Sequence, residues 1–320
     1  MNDESLLVIV GPTATAKTEL AISLAERMGG EIVSADSVQV YAHFNIGSGK
    51  PSAAELSRAP HHLLDIRDPL DPLEAKVWAE LAAQKIREIE ERGATPIVCG
   101  GTFLWVRALV YGLADAPPGD AAIRLKHREI AEEKGRAYLH QRLAEVDAKS
   151  AARLHENDLV RVSRALEVFE IAGTPLSVIQ EQHGFREPRY KVRLLAVEWE
   201  REAYEARLKA RIVQMMERGW VSEVQDLRAR GYGQARAMDA VGYRQVLAYV
   251  EGLEGKERTD LAPGVIAPRN EQELAEEVTR VTRVFARRQR TWLRDEEIVQ
   301  VPAAALSEGT QLDACVHSLS

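Results

Sequence analysis

The chain has 320 residues, a formal net charge of −7, and apolar and charged fractions of 45% and 28%. This length can bury one large core or two unequal ones, and no apolar run approaches the roughly 18 residues that a membrane span needs. The acidic start at Asp3 and Glu4 is unlike a signal peptide. Cys99 and Cys315 are too few and too distant for a disulfide framework or a zinc site. We therefore expect a reduced, cytoplasmic protein with no membrane partner.

An apolar run at 6–10 precedes Gly11-Pro12-Thr13-Ala14-Thr15-Ala16-Lys17-Thr18, and a helical pattern at 19–28 follows it. Strand, tight loop and helix N-terminus are the context of a phosphate-binding P-loop. Its backbone N–H groups and the helix dipole favour a phosphate or diphosphate. Lys17 is predicted to reach the terminal phosphate, and the Thr18 hydroxyl to bind Mg²⁺. Ala16 replaces the usual glycine, and alanine has a steric cost wherever φ must be positive.

Further apolar runs at 31–35 and 96–99 alternate with helical patterns. This alternation predicts a parallel α/β sheet, whose ligands gather at the carboxyl ends of the strands. Gly11, Asp36 and Thr102 all fall at such ends. The first part of the chain is therefore expected to form one ligand site along one edge of the sheet.

The pattern then becomes helical and returns to a strand at 191–199. After that strand, helices are predicted at about 202–218, 222–230, 239–251 and 271–293. We predict an α/β fold: a P-loop NTPase-like parallel sheet flanked by helices, with an inserted all-helical domain. The predicted divisions are a first core part at 1–116, a helical insertion at 117–188, a second core part at 189–295 and an acidic C-terminal tail at 296–320.

Two strand ends carry groups suited to catalysis. Asp36 can act as a general base or hold Mg²⁺, although a lone carboxylate there more often caps the following turn. Gly100 and Gly101 allow the backbone to approach a ligand closely, and Thr102 adds a hydroxyl. An ordinary P-loop ATPase would more usually end this strand in an aspartate that binds the metal, so the glycines argue against a plain ATPase.

The charge distribution weakens the case that the net charge makes against a nucleic-acid partner. Residues 295–320 contain five acidic residues and no Lys or Arg, whereas 280–294 contain six arginines and no acidic residue. Five of the arginines recur three or four residues apart, so on a helix they would lie along one line: Arg280, Arg283, Arg287, Arg290 and Arg294. Such a line, without acids to pair with, is predicted to contact phosphates; a solvated amphipathic helix is the alternative.

Taken in order, these stretches resemble the tRNA dimethylallyltransferases, also called tRNA isopentenyltransferases. The resemblance covers about residues 5–295. The matching stretches are GPTATAKT at 11–18, DSVQVY at 36–41, IG and KP at 46–47 and 50–51, PHHLLDI at 60–66, GGT at 100–102, RVSRALE at 161–167, VGYRQ at 241–245, and RQ and TWLR at 288–289 and 291–294.

The resemblance implies a P-loop core with an inserted helical domain that grips the anticodon stem-loop of tRNA. It implies transfer of the dimethylallyl group from dimethylallyl diphosphate to N6 of adenosine 37, just 3′ of the anticodon. In this family the adenosine is flipped into a channel through the core. Mg²⁺ is the implied cofactor, and a monomer is expected.

The resemblance also implies roles for individual residues. Catalytic roles fall to Asp36 as general base and to Thr102, Lys17 and Arg244. The diphosphate-binding residues are Gly11, Pro12, Thr13, Ala14, Thr15, Ala16, Lys17 and Thr18, of which Thr18 also binds the metal. The implied tRNA contacts are Asp36, Ser37, Val38, Gln39, Thr102, Arg124, Val160, Arg161, Val162, Ser163, Arg164, Val241, Gly242, Tyr243, Arg244, Arg287, Arg288, Gln289, Arg290, Thr291, Trp292, Leu293 and Arg294.

Three alternatives stay open from the sequence. The same chemistry could act on free AMP, ADP or ATP, as in adenylate isopentenyltransferases, although the helical insertion and the arginines favour a large RNA. A P-loop small-molecule kinase is disfavoured by the Gly-Gly-Thr strand end. An RNA-binding protein with a vestigial P-loop would not need Asp36, Thr102 and Lys17 together.

Overall fold

A computed structural model describes residues 5–184, 187–253, 268–294 and 296–306. The described residues divide into two compact units, one made from the chain up to 110 and from 190 onward, the other from Tyr111–Arg189. The predicted helical insertion, 117–188, lies within the second unit. Cys315 and most of the acidic tail lie outside the described residues.

The first unit contains one parallel sheet. In the described chain its strands lie in the order β3-β2-β4-β1-β5-β6, and every neighbouring pair is parallel. Their bounds are β1 (Leu6–Ile9), β2 (Gly30–Ser34), β3 (His61–His62), β4 (Thr95–Cys99), β5 (Val192–Glu198) and β6 (Ile298–Pro302). The central strand β1 is buried along its whole length, as its continuous apolar run requires for a strand covered on both faces.

The described helices belong to both units. Their bounds are α1 (Lys17–Met28), α2 (Ala53–Arg58), α3 (Ala75–Glu91), α4 (Phe103–Tyr111), α5 (Ala121–Lys134), α6 (Arg136–Val146), α7 (Ala148–Arg153), α8 (Leu159–Ala172), α9 (Leu176–His183), α10 (Arg201–Glu217), α11 (Trp220–Ala229), α12 (Tyr243–Leu253) and α13 (Glu271–Trp292). Helices α5–α9 belong to the second unit and the others to the first. The predicted parallel sheet with flanking helices and a helical insertion is confirmed.

The predicted acidic tail contains a strand, β6, that the sequence analysis did not predict. Residues 298–302, predicted as part of an acidic tail, pair with β5 along its length. Val301 is buried in the same core cluster as Ile9 and Leu195. Only alternate residues of an edge strand face the core, so the short apolar signal is hidden among acidic neighbours. The burial of Val301 in this cluster explains why the segment belongs to the sheet.

The second unit has its own core. The described part of Tyr111–Arg189 holds α5–α9 and no strand. Leu139 and Leu143 of α6 pack against Val162 and Leu166 of α8. The spacing of four residues within each pair places both members on one helix face, which explains how short helices bury a common core.

Candidate active site

The loop between β1 and α1 has a backbone conformation that glycine adopts most easily. Gly11 has φ 141°, and Ala14 and Ala16 both have φ 65°. Ala16 is the N-cap of α1 and lies in the left-handed region. A Cβ in that region approaches the following carbonyl, which costs an L-residue about 1–2 kcal/mol. The steric cost expected of alanine at position 16 is therefore present in the folded chain.

Replacing Ala16 by glycine is expected to raise the free energy of unfolding by about 0.5–1 kcal/mol, because relief of the left-handed strain exceeds the entropy that glycine adds to the unfolded chain. Urea unfolding followed by circular dichroism measures the change. Ala206, exposed in the interior of α10, gives the control: Ala206→Gly should lower stability by about 1 kcal/mol. A less stable Ala16→Gly variant would contradict the assignment of strain.

Side chains hold four consecutive carbonyls of this loop. Pro12 O accepts hydrogen bonds from Lys17 Nζ at 2.6 Å and from Thr15 Oγ1 at 2.9 Å. The next three carbonyls accept bonds from the segment that follows β5: Tyr204 Oη donates to Thr13 O (3.1 Å), Arg207 Nε to Ala14 O (3.0 Å) and Trp199 Nε1 to Thr15 O (3.1 Å).

These bonds determine where the N–H groups of the loop point. No peptide bond of the described residues is cis, and in a trans peptide the C=O and N–H point in opposite directions. The N–H groups of Ala14, Thr15 and Ala16 therefore lie on the side away from the carbonyl-holding side chains. Together with the first N–H groups of α1, which have no intrahelical acceptor, they supply backbone donors of the kind that bind an anion.

Lys17 lies at the start of α1 with its ammonium enclosed by the loop. Burial lowers the pKa of Lys17 from 10.5 to about 8, and the nearby Cys99 and Asp36 offset this only in part, while Arg211 lowers it further. A buried ammonium held by one carbonyl gains most when an anion replaces the lost water. The residue is therefore poised to bind a phosphate group.

Asp36 and Thr102 follow the neighbouring strands β2 and β4, as the strand-end rule predicts, and Thr102 contacts Ser37, the residue after Asp36. Asp36 Oδ1 accepts hydrogen bonds from Val38 N (2.9 Å) and Gln39 N (3.2 Å). The Thr102 hydroxyl accepts from Ser37 N (3.0 Å) and lies 3.2 Å from Ser37 Oγ. Asp36 thus caps its turn through one oxygen, while no described residue donates a hydrogen bond to Oδ2. Both the capping and the catalytic interpretation of Asp36 fit this geometry.

Gly100 allows these two strand ends to approach each other. A Cβ built on it would lie 2.1 Å from Ala35 O, a backbone atom that cannot move aside. Thr102 N donates to the same carbonyl at 3.2 Å. The glycine that replaces an acidic strand end therefore brings the Thr102 hydroxyl beside Ser37 and the Asp36 turn.

Sequence reasoning missed Arg211 of α10. Burial lowers the pKa of Arg211, as does neighbouring Arg207, while Asp36 and Glu55 raise it. Arg211 also lowers the pKa of Lys17, so both cations lie within electrostatic range of Asp36. The sequence signal that could have identified Arg211 was its spacing of four residues from Arg207 on the helix after β5. The site thus has a second enclosed cation that could bind an anion.

The residues present fit a magnesium ion. The described residues contain no cluster of three His, Cys, Asp or Glu side chains that could hold a metal alone. Mg²⁺ commonly takes one or two protein oxygens and fills its octahedron with waters and substrate phosphates. Thr18, in the first turn of α1, supplies a hydroxyl, and the other ligands would be waters and phosphate oxygens of the substrate. These are hard donors of the kind that Mg²⁺ prefers.

The predicted tRNA-contact residues of α8 do not all face outward. Val160 is 80% exposed, whereas Val162 and Ser163 are buried, and Ser163 Oγ lies 2.9 Å from Nδ1 of the buried His127. The side chains of Val162 and Ser163 therefore pack inside the second unit. This follows from the helix period, because consecutive residues cannot all occupy the exposed face.

Three predicted arginines of the second unit form ion pairs within it. Arg124 and Arg164 both bind the buried carboxylate of Glu167, and Arg161 pairs with Asp158 at 2.9 Å. Two arginines on one buried carboxylate leave a net positive charge beside an exposed helix end. The predicted contacts with RNA stay predictions, and the structure adds a packing role for Arg124 and Arg164.

The arginines of α13 are partly paired, which corrects the expectation that they have no acidic partners. Arg280 pairs with Glu277 one turn earlier and Arg283 with Glu205 of α10. Arg290 lies over the ring of Tyr204, with its guanidinium carbon 4.5 Å from the ring centroid. The remaining predicted residues of this helix end include the exposed Arg287, Arg288, Thr291, Trp292 and Arg294, and the half-buried Leu293.

The stretch 241–244 presents less surface than expected. Tyr243 is buried, donates to Glu223 Oε1 at 2.7 Å and accepts from Ser48 N at 3.1 Å. Its ring is therefore not available to stack on a base, although the resemblance implies a tRNA contact at this residue. Val241 is exposed and Gly242 is buried. Arg244 is half-buried, and its Nε has no hydrogen-bond partner among the described residues.

The sheet order, the loop after β1 and the cation at the start of α1 define an α/β protein with a P-loop NTPase-like fold. The Asp36 carboxylate and the Thr102 hydroxyl, at the ends of adjacent strands, add groups that can position a second substrate. Among the described residues, none of the helices combines the length and apolar character that crossing a bilayer requires.

Comparisons identify the family. Residues 39–296 match the IPP transferase family, and the chain belongs to this family. It is 56% identical over 296 residues to a tRNA dimethylallyltransferase of Sorangium cellulosum (92% of this chain, 90% of that one), and 43% identical to one of Geobacter sulfurreducens (92% and 90%). The solved structure of a tRNA isopentenylpyrophosphate transferase from Staphylococcus epidermidis matches with a TM-score of 0.67 at 31% identity, covering 99% of each chain.

Proposed function

We propose that this enzyme transfers the dimethylallyl group of dimethylallyl diphosphate to N6 of adenosine 37 in the anticodon stem-loop of tRNA. One observation carries the proposal: Asp36 and the Thr102–Ser37 pair lie at the strand ends beside a phosphate-type loop that holds Lys17. Relatives named as tRNA dimethylallyltransferases support the same reaction.

The loop side of the site binds the leaving group. When the bond between C1 of the dimethylallyl group and the diphosphate oxygen breaks, negative charge grows on that oxygen. The loop N–H groups, Lys17 and Arg211 are fixed donors for this charge, and such preorganised donors stabilise a transition state strongly. Their enclosure raises the strength of each electrostatic contact.

The strand-end side binds the acceptor. An exocyclic amine is a weak nucleophile, so positioning and proton removal both matter. As N6 forms its new bond to C1, the amine loses one proton, and Asp36 is placed to accept it through Oδ2. The Thr102 hydroxyl orients the amine. The products are the prenylated adenosine, diphosphate and the protonated carboxyl group.

Mg²⁺ is part of the proposal, held by Thr18 and the substrate. When bound, the ion would neutralise charge on the diphosphate. Chelation should therefore lower activity without unfolding the protein. A cytoplasmic location and a monomeric state stay predictions from the sequence.

A product assay tests the proposal. Purified protein, Mg²⁺ and dimethylallyl diphosphate are incubated with unmodified tRNA or with AMP, and the nucleosides are analysed by mass spectrometry. Prenylated adenosine in the tRNA sample alone is the expected result. Product with AMP alone would move the function to adenylate prenylation, and no product with ATP turnover would favour a kinase.

Replacing Arg287 and Arg288 together by glutamine is expected to weaken tRNA binding and to reduce the slope of log Kd against log salt by about 1–2, because each lost phosphate contact removes released counterions. Both side chains are exposed, and no described residue forms an ion pair with them. Filter binding at salt concentrations from about 50 to 300 mM, roughly a sixfold range, measures the slope.

The matched control replaces Arg280 and Arg283 by glutamine. This changes the net charge equally, but both arginines already pair with Glu277 and Glu205. Its salt slope should stay close to that of the unmodified protein. Equal slopes for the two double variants would return Arg287 and Arg288 to ordinary solvated surface.

A further inference from the structure

We infer that Gln289 is a positioning residue that joins the diphosphate side of the site to the acceptor side, rather than a residue whose role is to contact tRNA. Its side-chain amide bonds to both loops. Oε1 accepts from Thr13 N at 2.9 Å, and Nε2 donates to Gly101 O at 3.0 Å. These loops follow β1 and β4, neighbouring strands of the sheet.

Each bond restrains one half of the reaction centre. Thr13 belongs to the loop that holds Lys17, and Gly101 precedes Thr102, whose hydroxyl bonds Ser37. Gln289 therefore restrains the distance between the loop that binds the leaving group and the hydroxyl that orients the acceptor. A displacement of about 1 Å between reacting groups can cost a hundredfold in rate, so one bridging amide is enough to matter.

The helix that carries Gln289 holds the Thr13 segment a second time. Arg290 lies over the Tyr204 ring, and Tyr204 Oη donates to Thr13 O at 3.1 Å. The N–H of Thr13 is thus bonded to Gln289 of α13. Its C=O is bonded to Tyr204, whose ring packs against Arg290, the next residue of α13. Because Gln289 already accepts a hydrogen bond from the Thr13 N–H, that N–H helps to fix the conformation of the loop.

The chemistry of the bridge requires an amide. One end must accept a hydrogen bond and the other must donate one, and among side chains of this length only glutamine does both at every pH of the assay. Ionised glutamate places an oxygen against Gly101 O, whereas protonated glutamate can donate through its O–H. Leucine fills similar space and can do neither. These differences give a signature that a general loss of stability would not produce.

The test compares Gln289→Glu and Gln289→Leu with Gln214→Glu, an exposed position of α10. For Gln289→Leu we expect kcat for tRNA prenylation to fall about a hundredfold, with the Kd for tRNA within twofold. For Gln289→Glu, kcat/KM relative to the unmodified protein should rise about tenfold from pH 8 to pH 5.5 as the carboxyl group gains its proton. Gln214→Glu should give a flat ratio.

This inference rests on the proposed function, so pyrophosphate binding is measured separately by calorimetry, where Gln289→Leu should bind about tenfold more weakly. Weaker tRNA binding by Gln289→Leu with unchanged kcat would overturn the inference in favour of an RNA contact. A pH-independent ratio for Gln289→Glu would also overturn it. Absence of product from the unmodified protein would instead refute the proposed function, and the pyrophosphate measurement would still decide the role of Gln289 in the loop.

Discussion

Asp36→Asn is expected to lower kcat for tRNA prenylation by two to four orders of magnitude, the usual contribution of a positioned general base. The asparagine oxygen can still accept the bonds from Val38 N and Gln39 N that Asp36 Oδ1 accepts now, so the turn is preserved. What is lost is the basic oxygen that takes the proton from N6. Single-turnover prenylation with saturating substrates measures the effect.

Asp36→Ala separates the two roles of this residue. Alanine removes the base and also the cap of the turn, so it should reduce both turnover and the melting temperature, whereas Asp36→Asn should reduce turnover alone. The Kd of Asp36→Asn for tRNA should stay within twofold of the unmodified protein. Equal losses of tRNA binding and turnover would refute the assignment of Asp36 as the base.

The second large effect concerns pH. At limiting dimethylallyl diphosphate, kcat/KM is expected to fall about tenfold per pH unit above the pKa of Lys17, which burial lowers to about 8. The sign follows from the charge: below this pH the ammonium is protonated and stabilises the diphosphate, and above it the neutral amine does not. A profile from pH 6.5 to 10 with the tRNA concentration fixed measures the decline.

Lys17→Ala supplies the matching variant. It should lower kcat/KM by about two to three orders of magnitude, as loss of one preorganised donor does, and its profile should no longer decline from pH 8. Lys209, exposed on α10, is the control, since Lys209→Ala should keep both the rate and the decline. An alkaline decline that survives in Lys17→Ala would assign the titration to another group.

The sequence was sufficient for features that depend on neighbouring residues. The run before Gly11 and the helical pattern after Thr18 were enough to place the loop between β1 and α1. The rule that parallel strands carry ligands at their carboxyl ends brought Asp36 and Thr102 together correctly, although they are far apart in the chain. Gly100 was predicted to let the backbone approach a ligand, whereas in the structure it lets β4 approach the carbonyl of Ala35.

Features that depend on distant partners could not be predicted. Arg211 resembles any arginine of an amphipathic helix until burial places it near Lys17 and Asp36. The acidic partners of Arg283 and Tyr243, Glu205 and Glu223, lie on other helices. The sequence therefore predicted that Arg283 has no acidic partner, and it gave no sign that Tyr243 is buried. Periodicity gives the face of a helix but not what packs on it.

The support of the phosphate loop by Tyr204, Arg207 and Trp199 has a consequence for how the site tolerates sequence variation. The conformation of the loop is fixed in large part by side chains outside its eight residues, which lie about 190 residues further along the chain. Alanine can therefore occupy position 16, because external bonds help to offset its strain. A motif search confined to the loop would undervalue this site, and substitutions in the loop should be interpreted together with those in α10.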